Sequence, residues 1–176
     1  RVFDLARTPL CPEQAEFVQA DMEDLESVRA AVRGAERLFH LAFVQSLSRR
    51  PPQECHRINL GGMRNVLEAA ATEGTARVVF ASTIEIYGAR PPHPCTEEAP
   101  KEQPVGWYGR DKWECEQMLW QAAETRGLSC SALRMPTICG RGFYNHRPLL
   151  TTMDRILDGK PVAVVGDGST PGDFVL

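Results

Sequence analysis

The sequence predicts an α/β protein built on a doubly wound parallel sheet. Two observations carry this. Short apolar or β-branched runs alternate with longer stretches whose apolar residues recur at the helical period. Parallel neighbours also need long right-handed crossovers, which those helical stretches supply. The strand candidates are Val2–Phe3, Glu16–Gln19, Arg37–Ala42, Arg77–Ser82, Leu128–Leu133 and Val162–Val165; the helices are Asp24–Arg33, Pro52–Thr72, Tyr108–Arg126 and Leu149–Asp158. The first helix repeats Leu25, Val28, Ala31 and Val32, with Asp24 as its cap. The second carries Ile58, Val66, Leu67 and Ala70 and stops at Gly74; the third carries Met118, Leu119, Ala122 and Ala123 and stops at Gly127. The fourth ends at Gly159 and Pro161, and a proline-rich loop fills Ala89–Pro104.

Composition narrows the function classes. The chain has 176 residues, 43% of them hydrophobic and 24% charged, with a net charge of −3. That is the composition of a globular protein with a sizeable core, not of a disordered chain. A mildly acidic chain has no bulk attraction to nucleic acid or to an anionic membrane, so neither is an expected partner. No run approaches the roughly 18 apolar residues of a membrane span. Six cysteines, at 11, 55, 95, 115, 130 and 139, show neither C-x-x-C nor paired metal spacing; reduced thiols in a cytoplasmic protein, and no metal site, are expected. The chain opens on Arg1 inside a strand-like run and closes inside the apolar run of GDFVL. The expectation is a piece of a longer protein, truncated at both ends.

In a doubly wound sheet, ligands bind beyond the carboxyl ends of the strands. Here those ends read Asp4, Asp21, His40-Leu41-Ala42, Ser82-Thr83 and Arg134. Asp4 can accept both hydroxyls of an adenosine ribose and repel a 2′-phosphate, though Arg7 nearby could screen one; a plain polar strand end is an equal reading. Asp21 can accept an adenine amino group or cap a helix. His40 reads as a core histidine. Tyr108 and Lys112, four apart, share one helix face. A free phenol has a pKa of about 10, and an adjacent ammonium lowers it. Thr83 can orient a substrate hydroxyl against that phenol, so the set can move a proton while a nicotinamide takes a hydride.

These residues resemble the extended short-chain dehydrogenase/reductase superfamily, and within it the NAD-dependent epimerase/dehydratase family of nucleotide-sugar enzymes. The resemblance runs along the chain in order: Asp4, Asp21-Met22, HLA at 40–42, NLGGMRNVLEAA at 59–70, STIEIYG at 82–88, YGRDK at 108–112, LRMPTICGRG at 133–142 and GDG at 166–168. It implies a Rossmann-like fold, with a partial dinucleotide-binding domain over 1–145 and the start of a substrate-binding subdomain over 146–176. It implies Tyr108 as catalytic acid/base, Lys112 on the nicotinamide ribose and Thr83 as the catalytic hydroxyl; Glu85 reads either as an accessory acid or as a solvated or structural carboxylate. Leu41, Ala42, Asn59, Ala81, Met135 and Pro136 would line NAD together with Asp4, Asp21 and Met22; NADP stays open. Thr83 and Thr137 would face the substrate. A homodimer is implied through the Tyr108 helix and the Pro52–Thr72 helix; Trp113 and Trp120, seven apart, read either as core or as a stripe at that interface.

The departures from the family pattern are informative. The G-x-x-G-x-x-G turn and first strand, expected about twenty residues before Arg1, are not in these residues, nor is most of the substrate subdomain. Thr83 is followed by Ile84-Glu85 rather than the Asp-Glu of sugar dehydratases, and Ile84 cannot protonate a leaving hydroxyl. The Ser-Glu pair of decarboxylating relatives is not matched either. Thr137 replaces an asparagine common near sugar-nucleotide phosphates. The leading expectation is an NAD-dependent epimerase-type oxidoreductase that passes a nucleotide sugar through a transient ketone. The alternatives are an NAD(P)-dependent reductase or dehydrogenase of a non-nucleotide carbonyl or alcohol, and a non-catalytic dinucleotide-binding regulator.

Overall fold

Alternating strands and helices are what the computed structural model contains; it describes residues 1–101, 104, 106–139, 147–164, 167 and 174–175. The order is β1 (Val2–Asp4), β2 (Phe17–Gln19), α1 (Leu25–Val32), β3 (Arg37–His40), α2 (Pro52–Thr72), β4 (Arg77–Thr83), a 3-10 turn (Ile84–Tyr87), α3 (Trp107–Arg126), β5 (Ser129–Met135), β6 (Thr137–Ile138), α4 (Arg147–Leu157) and β7 (Phe174–Val175). The fold is Rossmann-like α/β. The chain divides into two compact units, Arg1–Arg134 and Met135–Leu176. The boundary expected at 145/146 falls outside the described residues, as do Val165, Gly166, Gly168 and 140–142 of the motifs quoted above.

In the first unit β1 pairs in parallel with β2, and β3 in parallel with β4, which is bonded in turn to β5. β1–β2 and β3–β4–β5 are separate ladders rather than one continuous sheet. In the second unit β6 pairs in parallel with β7. Residues 162–164, expected as strand, carry no strand assignment.

Helix boundaries follow local chemistry. The Asp24 carboxylate accepts from the backbone N–H groups of Glu26 and Ser27, at 3.1 and 3.4 Å, and so caps α1. α2 starts on Pro52, whose fixed φ suits a first turn. α3 ends at Gly127, held at a φ of 67°, the left-handed conformation that closes a helix.

One core joins α2 and α3 to β4 through Met63, Leu67, Phe80, Cys115 and Leu119, and a second joins α1 to α2 through Val28, Val32, Val66 and Ala69. α1, α2 and α3 therefore lie side by side on one face of the strands. The sequence pattern predicts cover on both faces. Among the described residues of this unit the opposite face is open, with Phe39 63% and Leu133 50% exposed. Successive crossovers of one hand that step the same way across a sheet keep their helices on one side.

Trp113, partly buried, packs on Ile86, Tyr87 and Ala99 of its own chain, and Trp120 is at the surface. All six cysteines are free thiols. No helix among the described residues is long and apolar enough to cross a membrane.

Candidate active site

The site forms where β4 runs into the 3-10 turn and α3 begins. Lys112 is 3% exposed and its Nζ donates to the Ala81 carbonyl at 2.6 Å. The ammonium lies 3.6 Å from the centre of the Phe43 ring, 4.8 Å from Phe80 and 5.6 Å from Tyr108. Burial lowers the Lys112 pKa to about 8. Tyr108, one turn earlier, meets Phe43 edge to face at 5.7 Å. Thr83 is buried, and its Oγ1 accepts from the Glu85 N–H at 3.3 Å, capping the 3-10 turn. Thr83 thus stands two residues beyond the carbonyl that holds Lys112 and two before Glu85, the carboxylate beside Tyr108.

The electrostatics reverse one expectation. A neighbouring lysine should lower the Tyr108 pKa; instead burial and the Glu85 charge push it up to about 12. The ammonium sits over the ring and is bonded to Ala81, so its pull on the phenol oxygen does not outweigh the other two effects. Partial burial also raises the Glu85 carboxyl. The resting site therefore holds a protonated phenol, a proton donor. Gly109 makes this packing fit: a Cβ there would lie 2.9 Å from Pro104 Cβ and 3.3 Å from Glu85 Cβ.

Asp4, Asp21, Leu41 and Ala42 come together around a cavity of about 380 Å3, which Met22, Arg50 and Arg57 also line. Asp4 Oδ1 accepts from the Leu5 N–H at 2.7 Å, and Asp21 Oδ1 from the Glu23 N–H at 3.0 Å. Both carboxylates remain exposed at the surface. Arg7, the group that might have screened a phosphate, donates to the carbonyls of Pro12 and Glu13 and lies over Phe17. Met22 is largely core, against the bare backbone of Gly62. A second cavity, of about 470 Å3, lies between β1 and β3 and is lined by Phe3, Leu38 and His40. His40 is buried with no hydrogen-bond partner at Nε2, and its pKa falls to about 4 through burial and the Lys112 charge.

Several other expected residues have partners within the fold. Asn59 is wholly buried; its amide holds Val44 and the Asp111 carboxylate. Ser82 donates to Glu116. Arg134, read from the sequence as a strand-end residue, forms a two-pronged pair with the buried Glu116 carboxylate at 2.8–3.2 Å and donates to Tyr87 Oη at 2.7 Å. Met135, Pro136 and Thr137 belong to the second unit. Sequence reasoning missed Phe43, which directly follows the HLA motif, and the buried acids Asp111 and Glu116. The signals in the sequence were an aromatic next to a strand-end motif, for Phe43, and a place inside the YGRDK motif, for Asp111.

A family model, the NAD dependent epimerase/dehydratase family, matches residues 3–176. The chain belongs to this family. The epimerase/dehydratase fold is also seen in its structural relatives. A UDP-glucose 4-epimerase of Thermotoga maritima, solved with UDP-glucose, is 27% identical and superposes with a TM-score of 0.82 over 99% of this chain and 60% of its own. A UDP-glucose 4-epimerase of Thermus thermophilus in complex with NAD is 31% identical, with a TM-score of 0.75 over 92% of this chain and 54% of its own. By sequence, the human 3 beta-hydroxysteroid dehydrogenase type 7 is 30% identical over 159 residues, 81% of this chain and 43% of that protein. The chain spans about half the length of the relatives it matches.

Proposed function

We propose that this chain carries the cofactor-side half of an NAD-dependent epimerase-type oxidoreductase that takes a nucleotide sugar through a transient ketone. The observation that carries the reading is the Lys112–Ala81 bond, which ties Lys112 to β4 two residues before Thr83, with Tyr108 one turn earlier on α3. The donor set fits the cofactor. Asp4 and Asp21 are acceptors at one cavity, suited to the ribose hydroxyls and amino group of an adenosine. Lys112 supplies donors for a second ribose. When bound, NAD would take hydride from a substrate carbinol and return it.

The chain's own residues would handle the proton. Tyr108 offers its phenol proton to a ketone oxygen and takes one back from an alcohol, with Thr83 holding the oxygen in line. Lys112 supports the phenolate that forms in between. Glu85 and burial hold the resting phenol protonated, so Tyr108 starts as a proton donor, and closer approach of the Lys112 ammonium to the phenol oxygen would favour its use as a base. Ile84 leaves no acid for elimination at the position next to Thr83, which favours epimerisation over dehydration. A homodimer through α2 and α3, in the cytoplasm, belongs to the same reading; sedimentation of the protein as a monomer at high concentration would remove the dimer.

A second reading is a dehydrogenase of a non-nucleotide alcohol. The 30% identity to a steroid dehydrogenase favours it, as does Thr137 in place of asparagine.

The test is Tyr108→Phe in the full-length protein, since the fragment by itself is expected to be inactive. Turnover is expected to fall at least about 1,000-fold, a general acid–base contribution combined with loss of the phenol at the site, with NAD affinity changed less than about twofold. Unaltered turnover would rule the mechanism out. Product formed from a sugar nucleotide without net cofactor reduction separates the epimerase from the dehydrogenase.

A further inference from the structure

Asp111 lies between the two proposed functional residues of α3 in sequence, and its carboxylate reaches α2. It is 1% exposed. Oδ1 is 2.7 Å from His56 Nδ1 and Oδ2 accepts from Asn59 Nδ2 at 3.0 Å, so α2 takes both oxygens. The Asn59 amide continues the path. Its Oδ1 accepts from the Val44 N–H at 2.7 Å and its Nδ2 donates to the Val44 carbonyl at 3.3 Å. Val44 is joined to Phe43, whose ring covers the Lys112 ammonium at 3.6 Å and meets Tyr108. A buried carboxylate with both oxygens taken tolerates little rotation or sliding of the helix that carries it.

We propose that His56 and Asp111, acting through Asn59, are positioning residues: they set the register of α3 on α2 and the place where Phe43 closes over Lys112. None of the three touches the reacting atoms in this scheme. The proposal rests on the reading of Lys112 and Tyr108 as the functional pair, but it makes a claim about Lys112 that holds whatever the substrate. With the pair broken, the backbone of Phe43 and Val44 is expected to loosen, water reaches the ammonium, and the burial that holds its pKa down is relieved. The titratable groups facing Lys112 are His40 on β3 and Tyr108 and Cys115 on α3, and none of them is substituted in the variants.

The experiment is an NMR titration of Lys112, one of three lysines in the chain, in the unsubstituted protein, His56→Ala and His56→Gln. In the unsubstituted protein the midpoint is expected near 8. In His56→Ala it rises toward the 10.5 of a solvated lysine, and His56→Gln, which restores a donor to Asp111, or added imidazole returns it. In a protein that turns over, His56→Ala lowers kcat about 10- to 100-fold, the cost of slight misplacement, with substrate KM changed less than about threefold. A folded His56→Ala that titrates like the parent overturns the proposal. If His56→Ala does not fold, the double variant His56→Phe/Asp111→Asn removes the hydrogen-bonded pair without leaving a bare carboxylate, and an unmoved Lys112 there overturns it equally. A moved Lys112 together with full activity in Tyr108→Phe leaves the positioning intact and sinks the catalytic reading instead.

Discussion

Lys112 reaches from α3 to the Ala81 carbonyl of β4, at 2.6 Å, from a position almost sealed from water. That bond sets the lysine's position, and burial sets its charge. With a folded-state pKa of about 8 against 10.5 when solvated, Lys112 binds fewer protons folded than unfolded across that window. Stability therefore rises as pH climbs from about 8 to 10.5, and below 8 the buried charge carries its full cost, on the order of 3 kcal/mol. Lys112→Met is expected to lose turnover yet raise the thermal midpoint at pH 7, with the gain fading by pH 10. Turnover of the parent should decline above about pH 8, as the ammonium is lost, and Lys112→Arg should move that decline upward. A pH-rate profile and melting curves at the two pH values check both.

His40 works in the acid range. Its folded pKa of about 4 lies below the 6.5 of a free imidazole. The unfolded chain therefore binds the extra proton, and stability falls as pH drops from 6.5 to 4. The loss is on the order of 3 kcal/mol over that window. His40→Leu should flatten this limb of the stability curve. Urea unfolding at pH 7 and pH 4.5 measures the difference, and equal acid sensitivity in the two proteins would disprove the assignment.

Glu116 and Arg134 form a buried ion pair across α3 and β5, with Glu116 wholly buried. Removing one partner strands the other. Glu116→Ala is expected to cost about 3–5 kcal/mol, whereas Glu116→Leu with Arg134→Met should recover most of that loss. Denaturant titration of the single and double variants gives the coupling. Loss of Arg134 also frees Tyr87 and the Glu97 carbonyl, which it bonds at 2.7 and 2.9 Å.

Cofactor choice should follow Asp4. Its carboxylate is at the end of β1, and Arg7, the nearby cation, is held by its own loop. NAD is expected to bind more tightly than NADP. Asp4→Ser should weaken NAD about tenfold or more, the value of hydrogen bonds to a charged acceptor, and narrow the preference over NADP. Binding titrations with both nucleotides test it, and an unchanged ratio in Asp4→Ser would place the ribose elsewhere.

The sequence by itself determined the alternation of strands and helices, the Asp24 cap, the helix stops at Gly74 and Gly127, and the shared face of Tyr108 and Lys112. Each of these is decided within a few residues by backbone preference and helical period. The tertiary structure alone decided what those residues touch. Phe43 over Lys112, Asp111 between His56 and Asn59, and Arg134 on Glu116 join positions far apart in the chain, and no local period encodes them. The same is true of charge. The sequence places a lysine one turn from a tyrosine and suggests an acidic phenol, but the sign of the Tyr108 shift depends on how much water the fold excludes and on which side Glu85 stands.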